Sequence, residues 1–419
     1  MAETIPKDIN VDINLDVVVI GGGIAGLWLL DRLKKAGFAA LLLNKGPLGQ
    51  GQSIAAQGII HSGTKYFGGE TSVADLEFMP ARWRACLSGG PEPSTPFGAN
   101  DPDLSAVAPL SEAMKMWLPP QLGGGLLAGF SQKIMRSQML ECPPEDRPGV
   151  LPNVKNGKLF ATDELVVDVP KILSGLQNLN SNDIRALPDG VDIAFGADTK
   201  DGVTITAGPV SIKAQRLICT AGAGNEALLA SLGWANIATQ RRPLHQVIVG
   251  NMQQPLFLHC IGRNPKPLAT ITSHPDGGGG YYWYIGGLIA EQGATQDPDK
   301  LITTAQAKLQ KLLPNADFTQ ARWATHRVDR AEPAGHGGHV GFRPGSVTAQ
   351  GHGAIIVGWP TKLALAPVLS DHIMAMLDRT GIRPNTKIGT GTTSGTTYLS
   401  ALPRPGIAKT PWDAVETWN

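Results

Sequence analysis

Asp16-Val17-Val18-Val19-Ile20-Gly21-Gly22-Gly23-Ile24-Ala25-Gly26-Leu27 is the stretch whose reading decides the fold. The β-branched run Val17 to Ile20 has the character of a buried strand, and it feeds a Gly-x-Gly-x-x-Gly turn made by Gly21, Gly23 and Gly26. A helix-forming segment, Leu27 to Lys35, follows with Leu27, Leu30 and Leu33 as its apolar stripe. In that order Gly21 allows the tight turn, Gly23 lets backbone N–H groups approach a pyrophosphate, and Gly26 lets the helix lie close to the strand. The helix N-terminus, with Ile24 and Ala25 in its first turn, then faces negative charge. A glycine-rich turn without a ligand is the competing reading. The strand-turn-helix order favours a dinucleotide.

The 419 residues exceed one average domain and fit two. A formal net charge of +1 supplies no electrostatic case for a nucleic-acid partner. Four cysteines, Cys86, Cys142, Cys219 and Cys260, are scattered without a Cys-x-x-Cys pair. They read as small apolar residues in a reducing compartment. Met1 to Asn10 lacks the apolar core of a signal peptide, and no apolar run of about 18 residues occurs. A soluble, cytoplasmic monomer is expected, with peripheral membrane contact left open.

Outward from the first helix, Gly37 is a C-cap and Phe38 to Leu43 a second parallel strand ending at Asn44-Lys45. A dinucleotide fold usually carries Asp or Glu at that strand end for the ribose hydroxyls; Asn44 can accept a hydrogen bond without charge. Lys45 opens a rival reading, an NADP-dependent dehydrogenase with a 2′-phosphate beside the lysine. The next segment decides against it. Gly49-Gln50-Gly51-Gln52-Ser53-Ile54-Ala55-Ala56-Gln57-Gly58-Ile59-Ile60-His61-Ser62-Gly63 is a polar loop where a plain dehydrogenase would begin another helix. Here the chain resembles the glutathione-reductase-type FAD proteins of the D-amino-acid oxidase, glycine oxidase, glycerol-3-phosphate dehydrogenase and 2-hydroxyglutarate dehydrogenase group. Within that group, the run from Arg241-Arg242-Pro243-Leu244-His245 through Val328-Asp329-Arg330-Ala331-Glu332-Pro333 is similar to a bacterial subgroup of glycine-oxidase-like and glycerol-3-phosphate-dehydrogenase-like flavoproteins of unassigned substrate. In that group such a loop holds the pyrophosphate and passes beside the flavin, which assigns Gly51, Gln52, Ser53, Gln57 and Gly58 to the cofactor.

The resemblance implies an α/β, Rossmann-like FAD domain with a β-rich second domain built on a mixed or antiparallel sheet. The expected divisions are 12–78, 152–234 and 323–385 for the discontinuous FAD domain and 79–151 and 235–322 for the substrate domain. Residues 386–419 form a tail, polar through Gly389 to Thr397 and expected to wrap the surface or stay partly disordered. Residues 79–151 alternate short amphipathic pieces with Pro- and Gly-rich turns, as an insertion over the flavin would. Asp163 to Pro170 leads into a helix over Lys171 to Leu179, and the family's similar element assigns a backbone contact to Val167. Val191 to Phe195, Val203 to Ala207 and Val210 to Cys219 read as a β-meander. Thr220, Ala221 and Gly222 then open a second strand-to-glycine turn, the other cofactor signature of the group. Strands are expected at Leu244 to Val249, Leu256 to Ile261, Leu268 to Ser273 and Tyr281 to Gly287, a helix at Leu301 to Leu313, and a return strand to the first domain from Trp323.

Gly358-Trp359-Pro360-Thr361-Lys362-Leu363 through Pro367 resembles the family segment whose helix N-terminus faces the pyrimidine edge of the flavin. It is one residue shorter than the pattern and places Lys362 near a family glycine, where the cation either stands beside N1 or projects into solvent. Trp323-Ala324-Thr325-His326-Arg327 resembles the segment whose arginine holds a substrate carboxylate, so Arg327 is the anion-binding candidate, unless Asp329 ties it into an ion pair. Val328 replaces the family proline. His61 is the first candidate proton acceptor or substrate hydrogen-bond partner, with bracing of the loop as its alternative role. His259, Tyr282 and Tyr284 lie on strands of the second domain. Alternation puts both tyrosines on one face and Trp283 on the other. His336, His339 and His352 sit among glycines without further ligand types, so no metal site is expected.

The expected function is therefore FAD-dependent oxidation of a small anionic amine, amino acid or hydroxy compound, with hydride passing to flavin N5. The FAD is expected to be non-covalent, because the family's covalent histidine falls near Ala55 or Ala56. The rival from another class is an FAD-binding redox sensor or assembly partner without turnover. The electron acceptor is not encoded in any readable motif.

Overall fold

The computed structural model describes residues 11–62, 74–89, 100–120, 139–152, 154, 157–187, 193–196, 202–207, 210–233, 239–262, 266–333, 347–385 and 400–419. The opening strand Val11–Ile20 lies between Ala40–Lys45 and Val210–Cys219, parallel to both. Ile184–Leu187 extends this sheet beyond Ala40–Lys45, and Ile355–Pro360 extends it beyond Val210–Cys219, again in parallel. Antiparallel Val347–His352 forms one edge, and Ile193–Phe195 with Val203–Ala207 makes the meander that enters Val210–Cys219.

The end of the opening strand, Val17 to Ile20, is apolar without interruption because both of its faces are covered. Val17 and Val19 pack into a helical layer made by Ile24–Lys35, Val169–Leu179 and Ala366–Arg379. Val18 and Ile20 point the other way and join Ile205, Ile212 and Leu217 of the meander side. Each such side chain contributes roughly 1.5–3 kcal/mol by leaving water. Helix Val169–Leu179 starts where Asp168 accepts the Lys171 N–H at 3.3 Å and Pro170 presets the first turn.

A second eight-stranded sheet runs Arg322–Pro333, Thr239–Met252, Tyr281–Gly286, Ala269–Pro275, Leu258–Cys260, Lys115–Leu118, Lys158–Ala161 and Leu140–Glu141. Its pairs are antiparallel apart from Leu258–Cys260 with Lys115–Leu118. Helix Pro298–Leu312 buries Leu301, Ala305 and Leu309 against one face.

Three placements differ from the sequence reading. Arg322–Pro333 does not return to the first sheet; it pairs with Thr239–Met252 from Gly250↔Arg322 to Thr239↔Pro333. The reason is Trp323, which buries beside Phe318, with ring centroids 5.5 Å apart, in the core of the second sheet. Lys158–Ala161 also joins the second sheet, through Lys115–Leu118. Conversely, helix Met79–Leu87 packs in the first helical layer, because Met79, Trp83 and Cys86 share one helical face. Trp83 Nε1 donates to the Ala364 carbonyl there at 3.0 Å.

The end of the chain spans both sheets. Leu48 N–H donates to Gly406 O at 2.7 Å, and Ala408 N–H donates to Leu48 O at 2.9 Å. Trp412 then stacks on His274 of the second sheet, with centroids 4.2 Å apart, and Asn419 exchanges two backbone hydrogen bonds of 2.9 Å with Trp323. Gly389 to Thr397 lie outside the described residues. Among the described residues no helix is long and apolar enough to cross a membrane.

Candidate active site

A cavity of about 1360 Å³ opens where Ile20, Asn44, Leu187, Thr220 and Gly358 end or leave their parallel strands. Open α/β sheets offer ligands that position, outside the carboxyl ends of the strands. Pockets for drug-sized ligands measure roughly 300–1,000 Å³, so this one has room for a dinucleotide and a small substrate together.

The floor is backbone. Gly21 has φ +112°, and a Cβ there would sit 2.6 Å from Ala221 Cα, so the two glycine turns lie main chain against main chain. A Cβ on Gly26 would approach the Gly21 carbonyl oxygen to 2.0 Å, which keeps the helix against its turn. Ser53 Oγ accepts the Ile24 N–H at 3.0 Å, so the polar loop caps the helix. Asn44 Oδ1 accepts the Gly22 N–H at 2.7 Å and its Nδ2 donates to Gly46 O at 2.8 Å. Its amide thus fastens the turn at both ends, and only a second lone pair on Oδ1 is left for a ribose.

Gly21, Gly23, Ile24, Ala25, Asn44 and Lys45 line this floor, and Gly51, Gln52, Ser53, Gln57 and Gly58 continue it. Thr220, Ala221 and Gly222 form the next wall. Gly358, Pro360, Thr361, Lys362 and Leu363 line the opposite side, tied to the second glycine turn by Trp359 Nε1 donating to Gly222 O at 3.3 Å. Gly26 and Val167 stand behind the wall; Val167 N–H donates to Gly58 O at 2.9 Å. A floor of close-set glycine backbone leading to a capped helix start fits the pyrophosphate of FAD.

The second sheet forms the roof and is pinned to the loop. Gln57 Nε2 donates to Thr270 O and Tyr284 O, each at 2.9 Å, and Gln52 Oε1 accepts the Ala331 N–H at 2.9 Å. The Tyr284 hydroxyl lies 2.7 Å from Gln246 Oε1 and 3.2 Å from Ala55 O. Tyr284 is therefore a fastener between sheet and loop and does not line the cavity; burial pushes its phenol well above the ordinary range. Tyr282, on the same face, stacks at 5.8 Å on both Trp412 and Trp418, away from the cavity.

Arg327 and Arg330 of the Arg322–Pro333 strand point opposite ways. Arg327 is exposed, donates from Nη1 to Ala294 O at 2.8 Å and does not line the cavity, so its position does not support the anion-binding part. Arg330, three residues on and so on the other face, does line it. Its Nε is buried without a hydrogen-bond partner, and burial, with the charge of Arg242 adding, pushes the guanidinium down to about 10 against the opposing charges of Glu332 and Glu291. Arg242 beside it is gripped by Glu332 through two bonds of 2.8 Å.

His61 is on the cavity wall, and its Nδ1 lies 3.4 Å from Glu164 Oε1. His259 is fully buried behind it, with Nε2 3.0 Å from Glu164 Oε2 and Nδ1 3.0 Å from Thr270 Oγ1. Two of the sequence candidates thus meet through a carboxylate that the sequence reading does not single out. Burial alone would raise Glu164, but the charge of His61 and hydrogen bonds from His259 and His61 outweigh it and hold the carboxyl well below its usual range. Glu164 and Arg330 are the residues that sequence reasoning missed. Strand alternation could have flagged Arg330 as the alternative to Arg327, whereas nothing local marks Glu164. His336 and His339 lie outside the described residues, and no metal-binding cluster occurs among the described ones.

The chain matches the family model described as "DAO: FAD dependent oxidoreductase" over residues 16–366. It is 41% identical over 410 residues to the "Probable FAD-dependent oxidoreductase PA4991" of Pseudomonas aeruginosa, covering 96% of this chain and 98% of that one. The crystal structure of that protein superposes with a TM-score of 0.78 at 38% identity, over 97% of this chain and 99% of the other. Glycine oxidase from Geobacillus kaustophilus follows at 0.62 and 14% identity, covering 89% and 96%. Dithionite-reduced L-alpha-glycerophosphate oxidase from Mycoplasma pneumoniae, solved with FAD bound, gives 0.58 and 13%, covering 87% and 95%. With the glycine cradle, the pinned roof and these likenesses together, the chain belongs to the DAO family of FAD-dependent oxidoreductases.

Proposed function

We propose that the protein oxidises a small anionic amine, amino acid or hydroxy compound, with Arg330 holding the anion and His61 accepting a proton. The observation that carries this reading is Arg330, a guanidinium facing the cavity with its Nε buried and unpartnered. Burying a guanidinium with a hydrogen-bond donor left unmade is costly, and a planar fork suits a carboxylate or phosphate. Glycine oxidase and L-alpha-glycerophosphate oxidase, named for compounds that carry a carboxylate or a phosphate, share the fold and support a substrate with an anionic group.

When bound, FAD supplies a two-electron acceptor that takes the substrate C–H hydrogen as hydride. The two glycine turns and the Ser53-capped helix start would hold its pyrophosphate, and the Pro360–Leu363 segment would supply helix-start dipole and Lys362 charge. His61 takes the proton from the substrate N–H or O–H as the C=N or C=O bond forms. Gln57, Tyr284 and Gln52 fasten the roof to the cofactor loop. Ala55 and Ala56 offer methyl groups where a covalent link would need a nucleophile, so the FAD is non-covalent and acid precipitation should leave it in the supernatant.

The test is anaerobic addition of amino acids, hydroxy acids and small phosphate esters to the purified yellow protein. Bleaching of the flavin band by an anionic compound is expected. Bleaching by dithionite but by no compound of the panel would sink the substrate assignment and favour a flavoprotein without turnover.

A further inference from the structure

We propose that Glu164 is the positioning residue of His61, a buried carboxylate that orients the imidazole and stabilises the imidazolium it becomes. The inference rests on the reading of His61 as the proton acceptor. Glu164 is fully buried and receives three donors, the Ser62 N–H at 3.3 Å and His61 Nδ1 at 3.4 Å on Oε1, and His259 Nε2 at 3.0 Å on Oε2. It sits on a fixed turn: its N–H donates to Thr162 Oγ1 at 3.3 Å, and that hydroxyl donates to Met114 O at 3.0 Å. Behind it, His259 is braced by Thr270 Oγ1 at 3.0 Å.

The charged and titratable groups facing Glu164 among the described residues are His61 from the loop and His259 from Leu258–Cys260. Neither histidine brings a second negative charge. With Nδ1 turned to Glu164, the substrate proton arrives at Nε2: the substrate N–H or O–H bond breaks, Nε2–H forms, and the new positive charge lies against an ionised carboxylate. Bound FAD would supply the two-electron acceptor for the C–H hydrogen, so charge and electrons balance. A base oriented by a third group is the general arrangement for activating such chemistry.

The holoenzyme carrying Glu164→Gln tests this. The His61 imidazole, labelled and assigned by its loss in His61→Gln, is titrated by NMR in wild type and variant. Removing an opposite charge at this range should lower the midpoint by about 1–3 units. Turnover of a bleaching substrate should fall about 100- to 10,000-fold, and the acid limb of kcat/KM should move to lower pH. Binding of carboxylate inhibitors, set at Arg330, should change less than about twofold. The double variant with His61→Gln should lose no more than His61→Gln alone. An unchanged NMR midpoint, or losses that simply add, would overturn the proposal. If Glu164→Gln fails to fold, wild type decides: a His61 midpoint above the free-imidazole value of about 6.5 supports the pair, and one at or below it does not. The NMR reading needs no substrate, so it separates failure of this inference from failure of the functional one.

Discussion

Arg242 and Arg330 stand directly opposite each other on paired strands, and of the two only Arg242 is hydrogen-bonded to the Glu332 carboxylate. Two guanidinium groups on one sheet face repel; Glu332 grips Arg242 through both oxygens, while Glu332 and Glu291 reach Arg330 only through their charge. Arg330 is left to be matched by whatever enters the cavity.

Arg330→Met should therefore weaken carboxylate inhibitors by about 1.5–3 kcal/mol, roughly 10- to 150-fold in Kd, read from perturbation of the flavin spectrum. Arg327→Ala, which removes only a surface bond to Ala294 O, should leave that Kd within about twofold. The opposite ranking of the two variants would return the anion to Arg327.

Asn44 fastens the first glycine turn from both ends of its amide. Asn44→Ala strands the buried Gly22 N–H, at a cost of about 1–3 kcal/mol. FAD titration of the apoprotein should show at least about a tenfold loss of affinity, with a lower urea midpoint. Asn44→Asp can accept from Gly22 but cannot donate to Gly46, and its charge opposes a pyrophosphate, so it should not restore wild-type affinity. Equal FAD affinity in all three proteins would show that the turn holds its shape without Asn44.

His274 lies fully buried beneath Trp412, and burial pushes its imidazole down to about 4. The sign follows directly. Between pH 6.5 and about 4 the unfolded chain binds the proton and the folded one does not, so stability is complete above 6.5 and falls as pH drops toward 4. The shift corresponds to about 3 kcal/mol. Urea unfolding from pH 7 to 4 should show a shallower acid loss in His274→Phe than in wild type. Trp412→Ala should cost about 3–5 kcal/mol at neutral pH and make His274 easier to protonate. Parallel pH profiles in wild type and His274→Phe would remove His274 from the acid response.

Local periodicity made much of the fold legible. The Val17–Ile20 run, the Gly21 and Gly222 turns and the strands at Val203–Ala207, Ala269–Pro275 and Tyr281–Gly286 lie where alternation and glycine spacing place them. Trp323 misled because a long strand opening on one tryptophan reads the same in either sheet; only its burial beside Phe318 assigns it to the second. Met79–Leu87 misled because its apolar face does not name the layer that covers it.

The sequence by itself determined the dinucleotide cradle, since turn geometry, helix start and strand burial depend on residues a few positions apart. It also determined that Arg327 and Arg330 face opposite ways, because strand side chains alternate. Which face looks into the cavity was decided only by tertiary structure, where Gln52 holds Ala331 and Gln57 holds Thr270 and Tyr284. The same is true of Glu164, which meets His61 across 103 residues and His259 across 95. A buried carboxylate shared by two histidines has no sequence period; it exists only once two sheets close on one loop.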